Sequence, residues 1–216
     1  MNLKVYQSFY QPHQFAFLDK KLIPYNNTAN KNPELREYPI ILDLYSKNKN
    51  YDGYWGVLSC RFSEKCKITG TQFMDMIREN PGYDVYHFNP VFNEVTQSLN
   101  PFINGDTHHP GMVKFVNRLM HIMGYRVDMA QERFDTDHFI YCSFYIGNNR
   151  FWEQWMAFLE TSMSIANNDP GLNNYLYHTF SIHKGQQMIN FSFVVERLVN
   201  LFLFLYKNEY KVKGFK

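Results

Sequence analysis

The chain has 216 residues, of which 45% are hydrophobic, so one domain with a sizeable core can form without disulfides or metals. Charged residues make up only 19%, and the formal net charge is +2. A protein that binds nucleic acid through phosphate contacts shows a clustered basic excess, so this balance excludes that class. The aromatic fraction is high, at 18%, and flat rings suit sugars and nucleobases as well as a core.

The cysteines and the first residues indicate a cytoplasmic location. Cys60, Cys66 and Cys142 are odd in number and lack metal-site spacing, and Cys60 lies in an apolar run. Such cysteines favour reduced, buried thiols. The opening MNLKVYQSFY alternates apolar and polar residues, which differs from the apolar core of a signal peptide. We therefore expect a cytoplasmic protein.

The first half of the chain predicts alternating strands and helices. LKVYQSF alternates apolar and polar residues, and YWGVLSCRF is a continuous apolar run typical of a strand covered on both faces. A Pro-Gly turn separates a helix, with Thr71 as its N-cap, from a β-rich run. The predicted elements are a strand over 3–9, a helix over 34–45 interrupted by Pro39, a strand over 54–61, a helix over 69–80 and a strand over 84–89.

The second half predicts three helices and one strand. Pro110 lies in the first turn of a helix that Gly124 ends, and HFIYCSFYI is rich in strand-forming residues. The predicted elements are a loop over 91–107, a helix over 110–123, a strand over 138–146, a helix over 149–166 and a terminal helix over 189–208.

The apolar segment 188–211 is too short for a membrane span. Glu196 and Arg197 interrupt it, which leaves nine residues before Lys207. It is therefore expected to be a buried helix of a soluble domain. The basic tail YKNEYKVKGFK after it offers a peripheral contact with a membrane surface, with a solvated chain end as the alternative.

The order of the elements predicts one α/β domain over 1–216, with a mixed, mainly parallel sheet flanked by helices. Ligands of open α/β sheets bind outside the carboxyl ends of the strands. We therefore expect one common cleft there. It is predicted from Gln7, Tyr10, Ser59, Arg61, Asn89 and His109, and the end of the strand 138–146 brings Gly147 and Asn148 to the same edge of the sheet.

Motifs of dinucleotide-binding, P-loop, α/β-hydrolase and HExxH enzymes are absent from the sequence. The runs YWGVLSCRFSEKCKITG, IRENPGYDVYHFNP, HHPG, YCSFYIGNNRFWEQWMAFLE and FSFVVERLVNLFL together resemble small GT-A-like glycosyltransferase domains of bacterial and large-virus surface-glycan biosynthesis. The resemblance covers roughly residues 1 to 205 and is one of pattern, without a single diagnostic motif.

This resemblance implies a transferase that moves a hexose from a nucleotide-diphosphate sugar, with a UDP-type donor favoured, to a growing glycan. It also implies that Gly147 and Asn148 lie in the acceptor region. The family usually ends one strand in Asp-x-Asp, which holds Mn²⁺ or Mg²⁺ against the diphosphate. Here that place reads His-Phe-Asn-Pro, so Asn89 is a weak metal candidate or only a turn residue, and the need for a divalent cation is open. Asp135 and Asp137 are further weak metal candidates, expected to lie outside the cleft because they precede a strand.

Charged residues in apolar surroundings give the catalytic hypothesis. Glu196 is expected to act near the sugar as a base while Arg197 neutralises phosphate, and a structural ion pair is the alternative. Arg36 and Glu37 raise the same question with less force. The free N–H groups at the start of the 110–123 helix, with His109 beside them, predict an anion site.

Two other classes of function remain open on the sequence. The missing Asp-x-Asp favours a non-catalytic module that binds a nucleotide sugar or a glycan. A helical interaction protein that uses the aromatic region 150–205 would bind no nucleotide.

Overall fold

The computed structural model describes residues 1–95, 97–183 and 186–216. Its strands are β1 (Leu3–Phe9), β2 (Ile23–Asn26), β3 (Tyr54–Ser59), β4 (Val85–Phe88), β5 (Tyr145–Asn148), β6 (Phe180–His183), β7 (Gln186–Ile189) and β8 (Val212–Phe215). Six of them form one sheet in the order β2-β1-β3-β5-β4-β8, and β6 pairs with β7.

The helices fall between and after these strands. They are α1 (Tyr38–Asn48), α2 (Phe62–Cys66), α3 (Gly70–Glu79), α4 (Phe92–Val95), α5 (Pro101–His108), α6 (Met112–Ile122), α7 (Asn149–Asn168), α8 (Pro170–Tyr177) and α9 (Phe191–Leu205). Short 3-10 helices occupy Pro12–Phe17, Pro33–Leu35 and Thr136–His138. In the described part of the chain, no helix has the length and apolar character needed to cross a membrane.

The sheet is mixed and mostly parallel, as the sequence predicts. β1 is parallel to β2 and β3, and β4 is parallel to β8, whereas β5 runs antiparallel to both of its neighbours. Successive residues of β3 point into two different cores, which explains its continuous apolar run. Trp55 and Val57 pack with α7, and Leu58 packs with Phe62 and Phe73 of α2 and α3. The prediction of a helix-flanked α/β sheet in a single domain is confirmed.

The predicted strand over 138–146 is wrong for most of its length. Only Tyr145 and Ile146 of it are in β5, and Cys142 and Ser143 have the left-handed φ values 61° and 55°. Side chains form hydrogen bonds with the backbone N–H and carbonyl groups that would otherwise pair with a neighbouring strand. The Asn200 amide accepts from the Ile140 N–H at 2.6 Å and donates to its carbonyl at 3.1 Å. The segment 139–144 is therefore an irregular connection fixed from α9.

Several helix boundaries differ from the predicted ones for local reasons. The N-cap of α3 is Thr69, which forms a capping box with Gln72, while Thr71 binds Asp19. Of the predicted loop 91–107, residue 96 lies outside the described residues, and α4 and α5 occupy much of the rest. Asn100 starts α5 by accepting the N–H groups of Phe102 and Ile103.

The basic tail is part of the sheet. Residues Val212–Phe215 form β8, which pairs in parallel with β4 at the edge of the sheet, so this part of the tail is ordered and is not a solvated chain end. Val212 and Phe215 are buried on opposite faces of the sheet, each in a different core cluster, which anchors the strand. The short strands β2, β6 and β7 were also not expected from the sequence.

Candidate functional site

A cavity of about 800 Å³ opens at the carboxyl ends of β3 and β4. The segment before α1 borders it on one side, and α5, α9 and the irregular segment 139–144 close it on the other. Its lining residues are Arg36, Glu37, Ser59, Arg61, Lys65, Pro90, Val91, Asn104, His108, His109, Tyr141, Cys142, Ser192, Phe193, Glu196 and Arg197. This is the sheet edge at which the sequence predicts a ligand site.

Arg197 is the most firmly held cation of the cavity. The residue is only 4% exposed, and its guanidinium donates to the carbonyls of Pro101 and Phe193 at 3.1 and 3.0 Å. It also lies over the ring of Tyr141, 5.5 Å from the centroid. Gly105 leaves room for it, because a Cβ there would lie 2.7 Å from Arg197 Nε. Its charge is thus fixed in place before any ligand binds.

Glu196 has both carboxylate oxygens engaged. Oε1 accepts from Arg197 at 3.3 Å, and Oε2 accepts the backbone N–H of Cys142 at 3.1 Å. The side chain is 25% exposed, so its setting is less apolar than the surrounding sequence suggests. The carboxylate holds Cys142 in its left-handed conformation and pairs with the neighbouring cation.

Glu37 brings a second carboxylate to the cavity, from the residue that precedes α1. The Tyr10 hydroxyl donates to its Oε1 at 3.3 Å. Burial of the carboxylate raises the pKa of Glu37, and the negative charge of Glu196 raises it further. The sequence ranked Glu37 behind Glu196, because Glu37 lies outside any long apolar run and only the fold buries it.

The six residues predicted to share a cleft separate into two groups. Ser59, Arg61 and His109 line the cavity. The other three, Gln7, Tyr10 and Asn89, are not among its lining residues, and the Tyr10 hydroxyl donates to Glu37, which is.

The side chains of Gln7 and Asn89 are hydrogen-bonded to backbone groups of the protein. Gln7 is 1% exposed and binds the Ser59 carbonyl and the Asp19 N–H. The Asn89 amide donates to the Phe139 carbonyl at 3.0 Å and accepts from the Val91 N–H at 3.0 Å. With both ends of the amide engaged, Asn89 acts as the turn residue that the Asn-Pro sequence also suggests.

The position expected for Gly147 and Asn148 is wrong. Because β5 runs antiparallel, its carboxyl end meets the start of β3, where Asn148 pairs with Tyr54 at the opposite edge of the sheet. There the Asn148 side chain caps α7 and binds Asp84. It also borders a smaller and more open cavity of about 490 Å³.

The anion site expected at the start of the 110–123 helix is also contradicted. That helix is α6, and Asp106 Oδ1 accepts the N–H groups of Gly111 and Val113 at 3.1 and 2.9 Å. The Asp106 carboxylate therefore already binds the free N–H groups that were predicted to bind a phosphate. His109 lies with its ring stacked on Phe193 at 3.7 Å and still lines the cavity.

Throughout residues 1–95, 97–183 and 186–216, no three His, Cys, Asp or Glu side chains cluster as metal ligands would. Asp135 and Asp137 are absent from the cavity lining, and the Asp137 carbonyl binds the His87 ring at 2.8 Å.

Comparisons with known proteins support the fold. No protein-family model matches the chain, and no curated protein matches it in sequence. A solved structure, described as the WbbM bifunctional glycosyltransferase in its apo form, matches all of this chain with a TM-score of 0.54 and 13% identity. The chain spans 44% of the length of that protein. This likeness shows that the chain has a glycosyltransferase-like fold.

Proposed function

We propose that the protein is a glycosyltransferase that moves a hexose from a nucleotide-diphosphate sugar, of the UDP type, to a growing surface glycan. One observation carries the proposal: a cavity of about 800 Å³, at the strand ends of a glycosyltransferase-like fold, combines fixed cations with two carboxylates. A donor sugar needs both, since its diphosphate is anionic and the acceptor hydroxyl must lose a proton.

The cations suit a diphosphate leaving group. Among the described lining residues, four carry positive charge and two carry negative charge: Arg36, Arg61, Lys65 and Arg197 against Glu37 and Glu196. Arg197 is rigidly held, whereas Arg61 is half-exposed and bound to Glu64 at the rim. In the proposed reaction these side chains stabilise the charge on the diphosphate oxygens as the sugar–phosphate bond breaks.

The contacts of the two carboxylates favour Glu37 as the proton acceptor. Burial and the charge of Glu196 raise the pKa of Glu37, which makes it a stronger base than an ordinary carboxylate. It takes the proton of the acceptor hydroxyl while that oxygen bonds to the sugar and the diphosphate leaves with the bonding electrons. Glu196, which the sequence singled out, instead fixes Cys142 and Arg197. No step of this reaction passes through a metal ion.

A thermal-shift panel with UDP, GDP, CMP and dTDP, each with and without manganese, tests the proposal. We expect UDP to raise the melting temperature selectively, by an amount that does not depend on manganese, because a ligand of the folded state stabilises it. Arg197→Gln should reduce the shift, while Lys114→Gln, an exposed change on α6, should leave it intact. Lack of any shift with all four nucleotides contradicts the proposal.

A second candidate is a binding module that holds a nucleotide sugar or glycan without turnover. The specific observation in its favour is Asn89, whose amide is used up by the turn at the place where relatives of this fold carry metal ligands. Release of UDP from UDP-hexoses, measured with and without a glycan acceptor, separates the two candidates. Binding without release in every case assigns the module.

A further inference from the structure

The segment between β1 and β2 presents large apolar side chains to solvent. Phe15 and Phe17 are 57% and 77% exposed, and Ile23 of β2 is 39% exposed. None of the residues of the 3-10 helix Pro12–Phe17 is buried. Isolated exposed rings are common, but here they gather on one short stretch of chain, which marks a surface that another phase or molecule covers.

Hydrogen bonds hold this segment in place. The Gln14 side chain accepts the N–H groups of Tyr10 and Gln11 at 2.8 and 3.1 Å. At the other end, Asp19 binds the backbone N–H and the hydroxyl of Thr71 at 2.8 and 2.9 Å. The rings are thus presented by an ordered support, so little conformational entropy remains to be lost when they insert.

The same stretch is basic. Lys20 and Lys21 are exposed directly after the rings, and Asp19 is the one acidic residue in the sequence between residues 10 and 33. Its carboxylate is already used by Thr71 and by the N–H of Lys21. Exposed phenylalanines followed by lysines match a partner whose interior is apolar and whose surface is anionic.

From this pattern we infer that residues 12–23 dock on the surface of an anionic lipid bilayer, with Phe15 and Phe17 inserted at the level of the headgroups and Lys20 and Lys21 against lipid phosphates. A second copy of the chain fits less well. Pro24 of β2 lacks an N–H group, which weakens pairing of this edge with another strand, and the lysines of two copies repel each other. The segment leaves β1 at the edge of the sheet where the cavity opens.

Co-sedimentation with phosphatidylcholine vesicles, with and without phosphatidylglycerol, tests this docking. We expect binding to the anionic vesicles that falls as salt rises. Phe15→Ser with Phe17→Ser should weaken it about tenfold or more. Lys20→Gln with Lys21→Gln should weaken it roughly fivefold per lysine at low salt. Phe180→Ser, at a residue that is 50% exposed on β6, is the matched control and should bind like the unchanged protein.

Three results overturn the inference: no binding to anionic vesicles, equal binding by the double Phe variant, or a dimer in light scattering that this variant dissociates. The last result assigns the surface to a second copy. The melting temperatures of the variants confirm that they fold, which is expected because the changed side chains are exposed. Vesicle binding and the nucleotide-induced change in melting temperature are separate measurements, so the failure of one proposal does not contradict the other.

Discussion

Glu37 and Glu196 reach the same cavity from different elements, and their partners differ. Glu196 is bonded through both oxygens to Cys142 and Arg197, while the Glu37 carboxylate accepts a long hydrogen bond from the Tyr10 hydroxyl. Both oxygens of Glu196 are thus committed to groups that it positions. The division of labour proposed for the pair follows from these contacts.

Amide substitutions distinguish the two carboxylates. Glu37→Gln should lower the rate of transfer by about 10²- to 10⁴-fold and leave UDP binding nearly unchanged, because the amide cannot accept the proton. Glu196→Gln should keep much of the activity but move the acid limb of the pH–rate profile to lower pH, since its charge raises the pKa of Glu37. If Glu196→Gln instead causes the large loss of rate and Glu37→Gln the small one, Glu196 is the base.

Which of these residues the sequence can identify depends on how local their environment is. Glu196 and Arg197 are visible because they interrupt an apolar helix. Glu37 becomes a cavity residue only when α1 and α9 are brought together. The bond from the Val91 N–H to Asn89 is the local turn contact that Asn-Pro indicates, whereas the bond from Asn89 to the Phe139 carbonyl, 50 residues away, could not be foreseen.

Gly105 provides a second test at the scale of one residue. Gly105→Ala brings a Cβ to 2.7 Å from Arg197 Nε, so the guanidinium must shift. We expect a loss of about 1–3 kcal/mol in the free energy of unfolding and weaker UDP binding. Gly171→Ala, whose Cβ would meet its nearest neighbour at 3.4 Å, is the control. Denaturant titration and the thermal shift measure both effects, and equal behaviour of the two variants contradicts the packing argument.

At the scale of elements, the segment 139–144 shows how side chains replace a strand. Its composition predicts a strand, and Tyr145 and Ile146 do form one. Before them, however, amides from Asn89 and Asn200 and the carboxylate of Glu196 take the backbone groups. Propensity describes neighbours along the chain, whereas these partners come from distant elements, so the sequence alone could not show the break.

Asn200 is therefore expected to stabilise the wall of the cavity. Asn200→Ala leaves the buried N–H and carbonyl of Ile140 without these bonds, which should cost about 1–3 kcal/mol in the free energy of unfolding. UDP binding should weaken as well, because Tyr141 and Cys142 follow directly. Asn168→Ala, at an exposed residue of α7, should cost much less. If the two variants unfold at the same denaturant concentration, the hydrogen bonds between Asn200 and Ile140 do not stabilise the fold.

At the scale of the whole molecule, buried histidines make stability depend on pH. His87 is 1% exposed, and its burial lowers its pKa to about 4, while burial also lowers the pKa of His138. The unfolded chain takes up these protons near pH 6.5, whereas the folded chain resists them. Stability is therefore complete above about pH 6.5 and falls as the pH drops towards 4.

For His87 alone, the loss between pH 7.5 and 5 should be about 2 kcal/mol. Denaturant midpoints across this range measure it. His87→Gln, whose amide reaches the position of Nε2 beside the Asp137 carbonyl, should be less stable at pH 7.5 but should lose less stability on acidification. If the stability of the variant falls with pH as steeply as that of the unchanged protein, residues other than His87 cause the pH dependence.

The strand β8 has a consequence for how the chain folds during synthesis. β4 pairs with β8, and the hydrogen bond between Lys211 and Asp84 beside them joins residues 127 positions apart. Contacts of such long sequence separation form slowly, because a large loop must close first. Until β8 leaves the ribosome, the buried strand β4 lacks this partner and can pair with the edge of another chain. We therefore expect aggregation during expression to respond more to changes in Val212–Phe215 than their effect on the stability of the finished fold would suggest.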